Sequence, residues 1–455
     1  MSLSFRRGKS PSIQKRHMHT FSFMFLLTMI PTQPFGATIS CIILSFFLAL
    51  YPKHFVKYSL LAFYVTSLNP SVFTSDPFSR YLFLFPLIIL SIVFLIRSGI
   101  KLLPNFFMLT IFSLIFLHCL IVSEAPLVSI SKFLLWAMVF ISISVLANLF
   151  GKSPEFSRDV WMEEIRTIVY SVMILSIPFA FLDIGYFVNG TGFQGVMNHP
   201  QSFGFVASVC CLLLFDHVIR DKISMLRMGI LLVSLLFVVM SESRSALLIT
   251  MLGMATQVCS LEVRRPGFPR RLGRKTVVTL LLSFVLAPFL YTQLGVSLGA
   301  KAGLENSTVL QAYEISRGGL LLIAAENILA RPSLGIGWGV PSDLQINLET
   351  AKFVLGIPIS VPVEKGIFLV ALVEEIGVWL SLGFLVSLFS HFELRNNDSL
   401  YLLVAVFLYN FTENVFTSVG GMGFFCLVIL ISSVKIRSRK VSTRVVNKQN
   451  FMNFE

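Results

Sequence analysis

Long runs of apolar residues, separated by short polar or basic stretches, dominate this chain. A bilayer core of about 30 Å is crossed by about 20 helical residues. Runs of that order fall near 18–31, 35–51, 55–75, 79–96, 103–122, 129–150, 165–187, 202–219, 224–240, 245–261, 276–293, 366–390, 399–415 and 418–436. The pattern predicts an all-α fold, a polytopic transmembrane helical bundle of twelve to fourteen spans. The first run is short and ends at Pro31, so it and the second form either two spans or one broken element. Such breaks are tolerated where neighbouring protein satisfies the freed backbone groups. The first run also follows Arg6, Arg7, Lys9, Lys15 and Arg16, as a signal-peptide core would. No small-x-small cleavage site follows it, so a retained anchor is expected.

Composition strengthens this reading. Of 455 residues, 55% are hydrophobic and 13% are charged, against about 25% charged in an ordinary soluble domain. The mean hydropathy is +0.81. A chain this apolar cannot cover its own surface with polar groups in water. Cys41, Cys119, Cys210, Cys211, Cys259 and Cys426 sit in or beside apolar runs, with no C-x-x-C or Cys/His ligand spacing. They read as packing residues, and neither a disulfide framework nor a zinc site is indicated.

The net charge of +13 is accounted for by topology. Basic residues favour the cytoplasmic ends of spans. With alternating spans, the N-terminal cluster, Lys53/Lys57, Arg97/Lys101, Lys152/Arg158, Arg220/Lys222, the run Arg264–Lys275 and Lys435–Lys440 all fall on one side. Attraction to anionic lipid then explains the excess without nucleic acid. Both termini are expected to be cytoplasmic, and the span number even.

The opposite, outward face holds the 188–201 loop, the turn at Ser241–Ser245 and one long stretch. The expected organisation is N-terminal transmembrane helices over 1–293, a large periplasmic loop over 294–365 containing short helices, C-terminal transmembrane helices over 366–436 and a cytoplasmic tail over 437–455. Loops of this length in a compact protein are usually functional or disordered. This one contains an apolar, helix-like run, Gly319–Leu329, and a Pro/Gly turn region, Arg331–Gly339. It reads as a partly ordered outer domain with a helix on or near the membrane surface.

Four outward features carry candidate chemistry. In Ser241-Glu242-Ser243-Arg244-Ser245, Arg244 lies at the edge of hydrocarbon. Three readings stand for it: snorkelling to the interface, pairing with Glu242, or binding an anion such as phosphate through its planar fork of donors. Arg317 and Arg331 flank the apolar run of the long loop, and Gly335, Gly337 and Gly339 permit tight turns and close backbone approach. Each arginine reads as a solvated surface residue or an anion ligand. Glu364-Lys365-Gly366 leads into a span carrying Glu374-Glu375. Intramembrane carboxylates are a functional expectation by default. Adjacent helical residues point about 100° apart, so one carboxylate is expected to pair with an outer arginine while the other faces a wet cavity. Finally, His199 lies in Asn198-His199-Pro200-Gln201-Ser202 at a helix start, where anion binding and simple capping both fit. No Ser/His/Asp pattern or metal-ligand cluster accompanies these residues. Arginines of this kind suit the binding of phosphate or pyrophosphate.

In order along the chain, Asn198-His199-Pro200-Gln201-Ser202-Phe203-Gly204, Ser241-Glu242-Ser243-Arg244-Ser245-Ala246, Arg317, Arg331-Pro332-Ser333-Leu334-Gly335-Ile336-Gly337-Trp338-Gly339 and Glu374-Glu375-Ile376-Gly377 resemble the motifs of the O-antigen ligase and O-antigen polymerase family. The resemblance covers about residues 190–380; the earlier spans match only in general character. It implies a bacterial inner-membrane protein with about a dozen spans and one large periplasmic loop. It also implies a glycosyltransferase that takes a glycan from undecaprenyl pyrophosphate at the outer leaflet, in surface-polysaccharide biosynthesis, with no cofactor and no metal. The implied partners are the undecaprenyl-pyrophosphate-linked oligosaccharide, membrane lipid and a chain-length regulator protein, and no nucleic acid. The family's pyrophosphate-holding arginines carry over onto Arg244 and Arg317, with Arg331 and His199 as further substrate-binding candidates. One departure matters. Family ligases carry a histidine in the long loop, whereas no histidine lies between His217 and His391 here. Glu364 occupies roughly that place, and a carboxylate can activate an acceptor hydroxyl. Glu364 and Glu375 are therefore the catalytic candidates, and a polymerase fits better than a lipid A ligase. A transporter or lipid-linked glycan flippase is the alternative from another class; the few charges along the middle of the spans count against it.

Overall fold

In the computed structural model the described residues are 11–33, 35–73, 78–98, 103–151, 158–187, 192–220, 225–264, 318–343, 352–354, 357–360, 365–393, 399–433 and 435–436. Fourteen α-helices run through them: α1 Pro11–Met29, α2 Gly36–Leu50, α3 Phe55–Thr66, α4 Ser79–Ser98, α5 Phe106–Ile121, α6 Pro126–Phe150, α7 Arg158–Ser176, α8 Pro200–Arg220, α9 Met225–Met240, α10 Arg244–Arg264, α11 Gly319–Ala330, α12 Phe368–His391, α13 Leu400–Thr412 and α14 Gly421–Ser433. Two short antiparallel pairs, Lys352–Val354 with Ile357–Ser360 and Phe392–Glu393 with Lys435–Ile436, are the only strands among the described residues. Five helices, α4, α6, α7 with its extension to Phe181, α8 and α12, are long and apolar enough to cross a membrane. The predicted span near 276–293 lies outside the described residues.

The bundle has an inner set and an outer set of helices. Nearly every residue of α3 and α14 is buried, as expected for a helix that is apolar all round. They pack on each other, and α6 and α7 pack on α14. Helices α2, α4, α9 and α12 turn large apolar side chains outward, among them Phe46, Phe85, Ile89, Ile96, Leu232 and Trp379. Exposed apolar surface on this scale is stable in lipid and a liability in water, so these are the helices of a membrane protein. Between helices, hydroxyls bridge where water is absent. Ser91 donates to Ser142 (2.8 Å), Thr28 and Tyr64 share a bond of 2.9 Å, and Ser208 donates to the Ala246 carbonyl (2.8 Å). Such bonds and close small-residue contacts hold membrane helices together.

Helix ends meet in the pattern that alternating spans require. At one end of the bundle, the Asn198 N–H donates to the Ser67 carbonyl, joining the start of α8 to the end of α3. At the other, His54 and Glu164 pair at 2.5 Å, joining the starts of α3 and α7, and Phe392 pairs with Ile436 beyond α12 and α14. Lys53 and Lys57 lie at this second end, together with the termini of α4 and α9 that carry Arg97 and Arg227.

Helix α1 starts seven residues before the run 18–31, at Pro11, and two further runs differ from the hydropathy pattern for reasons the structure shows. The run 55–75 ends its helix at Thr66, because Asn69 builds a turn. Its side chain accepts from Ser71 N and donates to the Ile184 and Gly195 carbonyls. The run 165–187 is displaced. Helix α7 starts at Arg158 and stops at Ser176, before the 3-10 turn that opens at Pro178. Its charged first turns are accommodated by partners, since Arg166 donates to Glu163 at 2.7 Å and Glu164 meets His54.

Candidate functional site

The predicted residues that can be placed fall in two groups at the end of the bundle where α3, α5, α7 and α9 finish. The first surrounds Arg244. Helix α9 ends at Met240, and Glu242 reverses the chain with a positive φ of 51°. Ser243 then caps α10. Its carbonyl accepts from Leu247 N, and its hydroxyl lies 3.4 Å from Ala246 N and 2.9 Å from Ser245 Oγ. Serine is suited to this place because its oxygen satisfies an orphan N–H of the first turn. Arg244 is therefore the first helical residue, half-buried, at the positive end of the helix dipole. Helix α8 approaches this turn so closely that a Cβ on Gly204 would lie 2.6 Å from Ser241 Oγ. His199 stands just before α8. Its carbonyl accepts from Phe203 N, its Nδ1 lies 3.2 Å from Gln201 N, and its ring packs edge-on to Phe187. The capping reading of His199 is thus present in the structure.

The second group surrounds the glycine stretch. Helix α12 is not continuous: Gly377 has φ 71° and ψ 168°. The break frees the Glu374 and Glu375 carbonyls and the Val378 N–H, and the segment after α11 supplies partners for all three. Ile336 N donates to the Glu374 carbonyl (2.9 Å), Gly337 N to the Glu375 carbonyl (2.8 Å) and Val378 N to the Pro332 carbonyl (3.0 Å). The Ser381 hydroxyl reaches across the break to the Leu372 and Gly377 carbonyls. Non-helical backbone at this depth survives only with such partners. The glycines are required by contact. At φ 120°, a Cβ on Gly337 would lie 2.0 Å from Ser123 Oγ, and one on Gly377 would lie 2.2 Å from the Ser333 carbonyl oxygen. The expected close backbone approach is therefore real, and its object is another stretch of backbone. Trp338 anchors the stretch, fully buried against Phe133, Trp136 and Phe384 with ring centroids 5.3–5.6 Å apart. The α5–α6 turn closes it. Glu124 N donates to the Ile336 carbonyl, His118 Nε2 to the Leu334 carbonyl, and Lys132 Nζ to the Gly339 carbonyl (2.8 Å).

Beneath this clamp lies a buried charge cluster. Lys365 Nζ is 3.0 Å from Glu374 Oε2 and 3.5 Å from Glu375 Oε1, and all three side chains are 0% exposed. Asn327 of α11 donates to Glu374 Oε1 (2.7 Å) and to the Ser342 carbonyl (3.0 Å). The sequence expectation assigned the two carboxylates to different surroundings, one beside an outer arginine and one facing a wet cavity. Instead, one buried lysine serves both. The lysine precedes the helix and enters from its N-terminal side, so the angular separation of the carboxylates does not keep them apart. Arg331 caps the end of α11 and pairs with Glu124 at 3.0 Å, both being part-exposed. Arg317 and Glu364 lie outside the described residues.

The segment Tyr409–Phe416 spans the two groups. Tyr409 stacks on Phe205 of α8 at 4.1 Å, while the Phe416 carbonyl accepts from Trp136 and its ring meets Phe368. Sequence reasoning missed Asn327, Lys132, Glu124 and His118 as members of the second group, and named Lys365 without giving it a role. Two signals were available: Lys132 is a lone lysine within an apolar run, and Lys365 adjoins Glu364. Their partners are distant in sequence and left no mark in it. Among the described residues, no group of three or more His, Cys, Asp or Glu side chains is placed to hold a metal ion. No protein-family model matches the chain, and no curated protein matches it.

Proposed function

We propose that this protein is an inner-membrane glycosyltransferase that polymerises or transfers a glycan from undecaprenyl pyrophosphate at the periplasmic face, in the biosynthesis of a surface polysaccharide. In this reading both termini are cytoplasmic, the 294–365 stretch is periplasmic, and the end of the bundle carrying Arg244 and Arg331 faces outward. The observation that carries the proposal is the position of Arg244. Arg244 stands in the first turn of α10, where its guanidinium and the N-terminal N–H groups of the helix both favour an anion. A lipid-linked pyrophosphate is the anion that a membrane supplies there. Arg244 and Arg317 are assigned to the leaving pyrophosphate, with Arg331 and His199 at its margin. Glu375 is buried and met by Lys365, which supports a place beneath the site. Glu364, the chain neighbour of Lys365, is assigned to the acceptor hydroxyl. The carboxylate takes the hydroxyl proton as the acceptor oxygen bonds to the anomeric carbon and the bond to pyrophosphate breaks.

The experiment is Arg244→Ala and Arg317→Ala in the native strain, with the surface glycan resolved on a gel. Loss of the length ladder at normal protein level is expected; a normal ladder overturns the assignment. A second reading, a lipid-linked glycan flippase or other transporter, is favoured by one observation: a broken helix with buried ionisable groups also lines transporter sites. Reconstituted protein that moves labelled lipid across vesicles without forming glycosidic bonds would establish it instead.

A further inference from the structure

A second arginine stands at the Arg244 end of the bundle, in a different set of helices. Arg80 is the second residue of α4, whose start meets the end of α3 and the start of α14. Between these ends lies a cleft of about 240 Å³ including its open mouth, lined by Ala62 and Phe63 of α3, Phe83 and Leu84 of α4, Phe424 of α14 and Arg80 itself. Thr66 also lines it, but its hydroxyl is committed to the Ala62 and Phe63 carbonyls. Lys53, Lys57, Arg97 and Arg227 lie at the far end of the bundle, so Arg80 is not part of the basic end.

The guanidinium brings five N–H donors and no acceptor. Its Nη2 donates to Tyr81 Oη at 3.3 Å, and its Cζ lies 5.0 Å from the Tyr81 ring centroid. Its Nη1 approaches the backbone of Gly420 so closely that a Cβ there would be 2.3 Å away. Its Nε is buried without a hydrogen-bond partner. Among the described residues no carboxylate forms an ion pair with it. An enclosed donor without an acceptor is costly, more so in a charged group. An arginine at the edge of hydrocarbon is stable when it is paired or wet.

The surroundings say which acceptor fits. Phe78, Leu82, Phe85 and Ile89 are exposed beside the cleft, along the outer face of α4 and just before it, so acyl chains run alongside. Drug-sized ligands fill pockets of about 300–1,000 Å³. This smaller cleft takes a headgroup or the first carbons of a chain, and not a whole lipid. A guanidinium fork matches a phosphate bidentately. Among the described residues, no carboxylate lines the cleft to meet an ammonium group, which favours a net negative headgroup over a zwitterionic one. We propose that the Arg80 cleft binds the headgroup phosphate of an anionic phospholipid in the leaflet at the Arg244 end of the bundle. The site is built from other helices than the Arg244 turn, and it serves a glycosyltransferase and a transporter alike.

The test uses the full-length protein in mild detergent, titrated with phosphatidylglycerol, phosphatidylcholine or inorganic phosphate, with bound lipid counted by native mass spectrometry. The tightest-held phosphatidylglycerol is expected to bind about 10-fold more weakly to Arg80→Ala, the order of one charge-assisted hydrogen bond. Arg80→Lys should fall in between, because lysine keeps the charge and loses the fork. Val419→Phe keeps Arg80 and fills the cleft from a partly exposed lining position, and it should weaken binding as Arg80→Ala does. Should Arg80→Ala fail to fold, Arg80→Lys and Val419→Phe carry the same expectation. Arg244→Ala should hold this lipid as the unsubstituted protein does. Phosphatidylglycerol binding unchanged in the Arg80 and Val419 variants, or lost in Arg244→Ala instead, overturns the site. Phosphatidylcholine held as tightly as phosphatidylglycerol, or lipid displaced by inorganic phosphate, overturns the assignment to an anionic phospholipid.

Discussion

The Arg244 turn and the glycine clamp share one end of the bundle and are built on opposite plans. The turn is made of hydroxyls and a helix end, with a half-buried arginine at a place where the helix field disfavours it. The clamp answers its charges and freed backbone groups with groups of its own: Lys365 between two carboxylates, Arg331 on Glu124, loop N–H groups on the broken ends of α12. A region whose buried charges and broken backbone are tied to one another across distant segments is suited to hold shape. A guanidinium beside the N–H groups of a helix start is suited to meet an anion. The difference teaches that the motif with the most unusual sequence, the glycine stretch, is the scaffold, and that the plainer serine-arginine turn is the better candidate for contact with substrate.

The comparison can be broken from the clamp side first. Lys365→Met leaves two carboxylates buried without their cation, and breaking a buried pair costs about 3–5 kcal/mol. A large fall in thermal stability in detergent is expected; an unchanged melting temperature would show that the cluster is wet. Next, Gly377→Ala keeps all side chains but forces a positive φ and a collision with the Ser333 carbonyl. Strain of this kind costs about 1–3 kcal/mol, and a melting curve displaced downward, by less than for Lys365→Met, is the expected record. On the turn side effects on stability should be smaller. Ser243→Ala removes the α10 cap, worth about 1 kcal/mol, and hydrogen exchange should speed up in the first turn of α10 while the clamp stays protected. Arg244→Ala should change stability least, by about 1 kcal/mol or less, as for a half-buried charge at a helix start, with a melting temperature close to that of the unsubstituted protein.

Much of this architecture was legible in the sequence because lipid imposes a simple rule on it. The runs 35–51, 103–122 and 224–240 became Gly36–Leu50, Phe106–Ile121 and Met225–Met240. The helix in the long loop, Gly319–Ala330, was equally plain. Where polar residues enter a span the rule failed. Glu163, Glu164 and Arg166 hid the first turns of α7, and Asn69 ended α3 early through contacts more than a hundred residues away. The break at Gly377 was invisible, because a glycine in an apolar run costs little as a pattern. Only the distant 332–337 stretch explains how it is tolerated. For the site, the sequence marked Arg331, Glu375 and the three glycines as notable but could not say that they belong to a clamp. That meaning lies in Lys365, Asn327 and Lys132, whose roles depend on which helix ends meet.

The most direct measurement is made on purified Arg244→Ala protein, at wild-type melting temperature, given undecaprenyl-pyrophosphate-linked oligosaccharide in nanodiscs. The account predicts that donor binding and the release of undecaprenyl pyrophosphate both fall at least 10-fold, with Arg244→Lys in between. Donor binding and pyrophosphate release equal to those of the unsubstituted protein would contradict it.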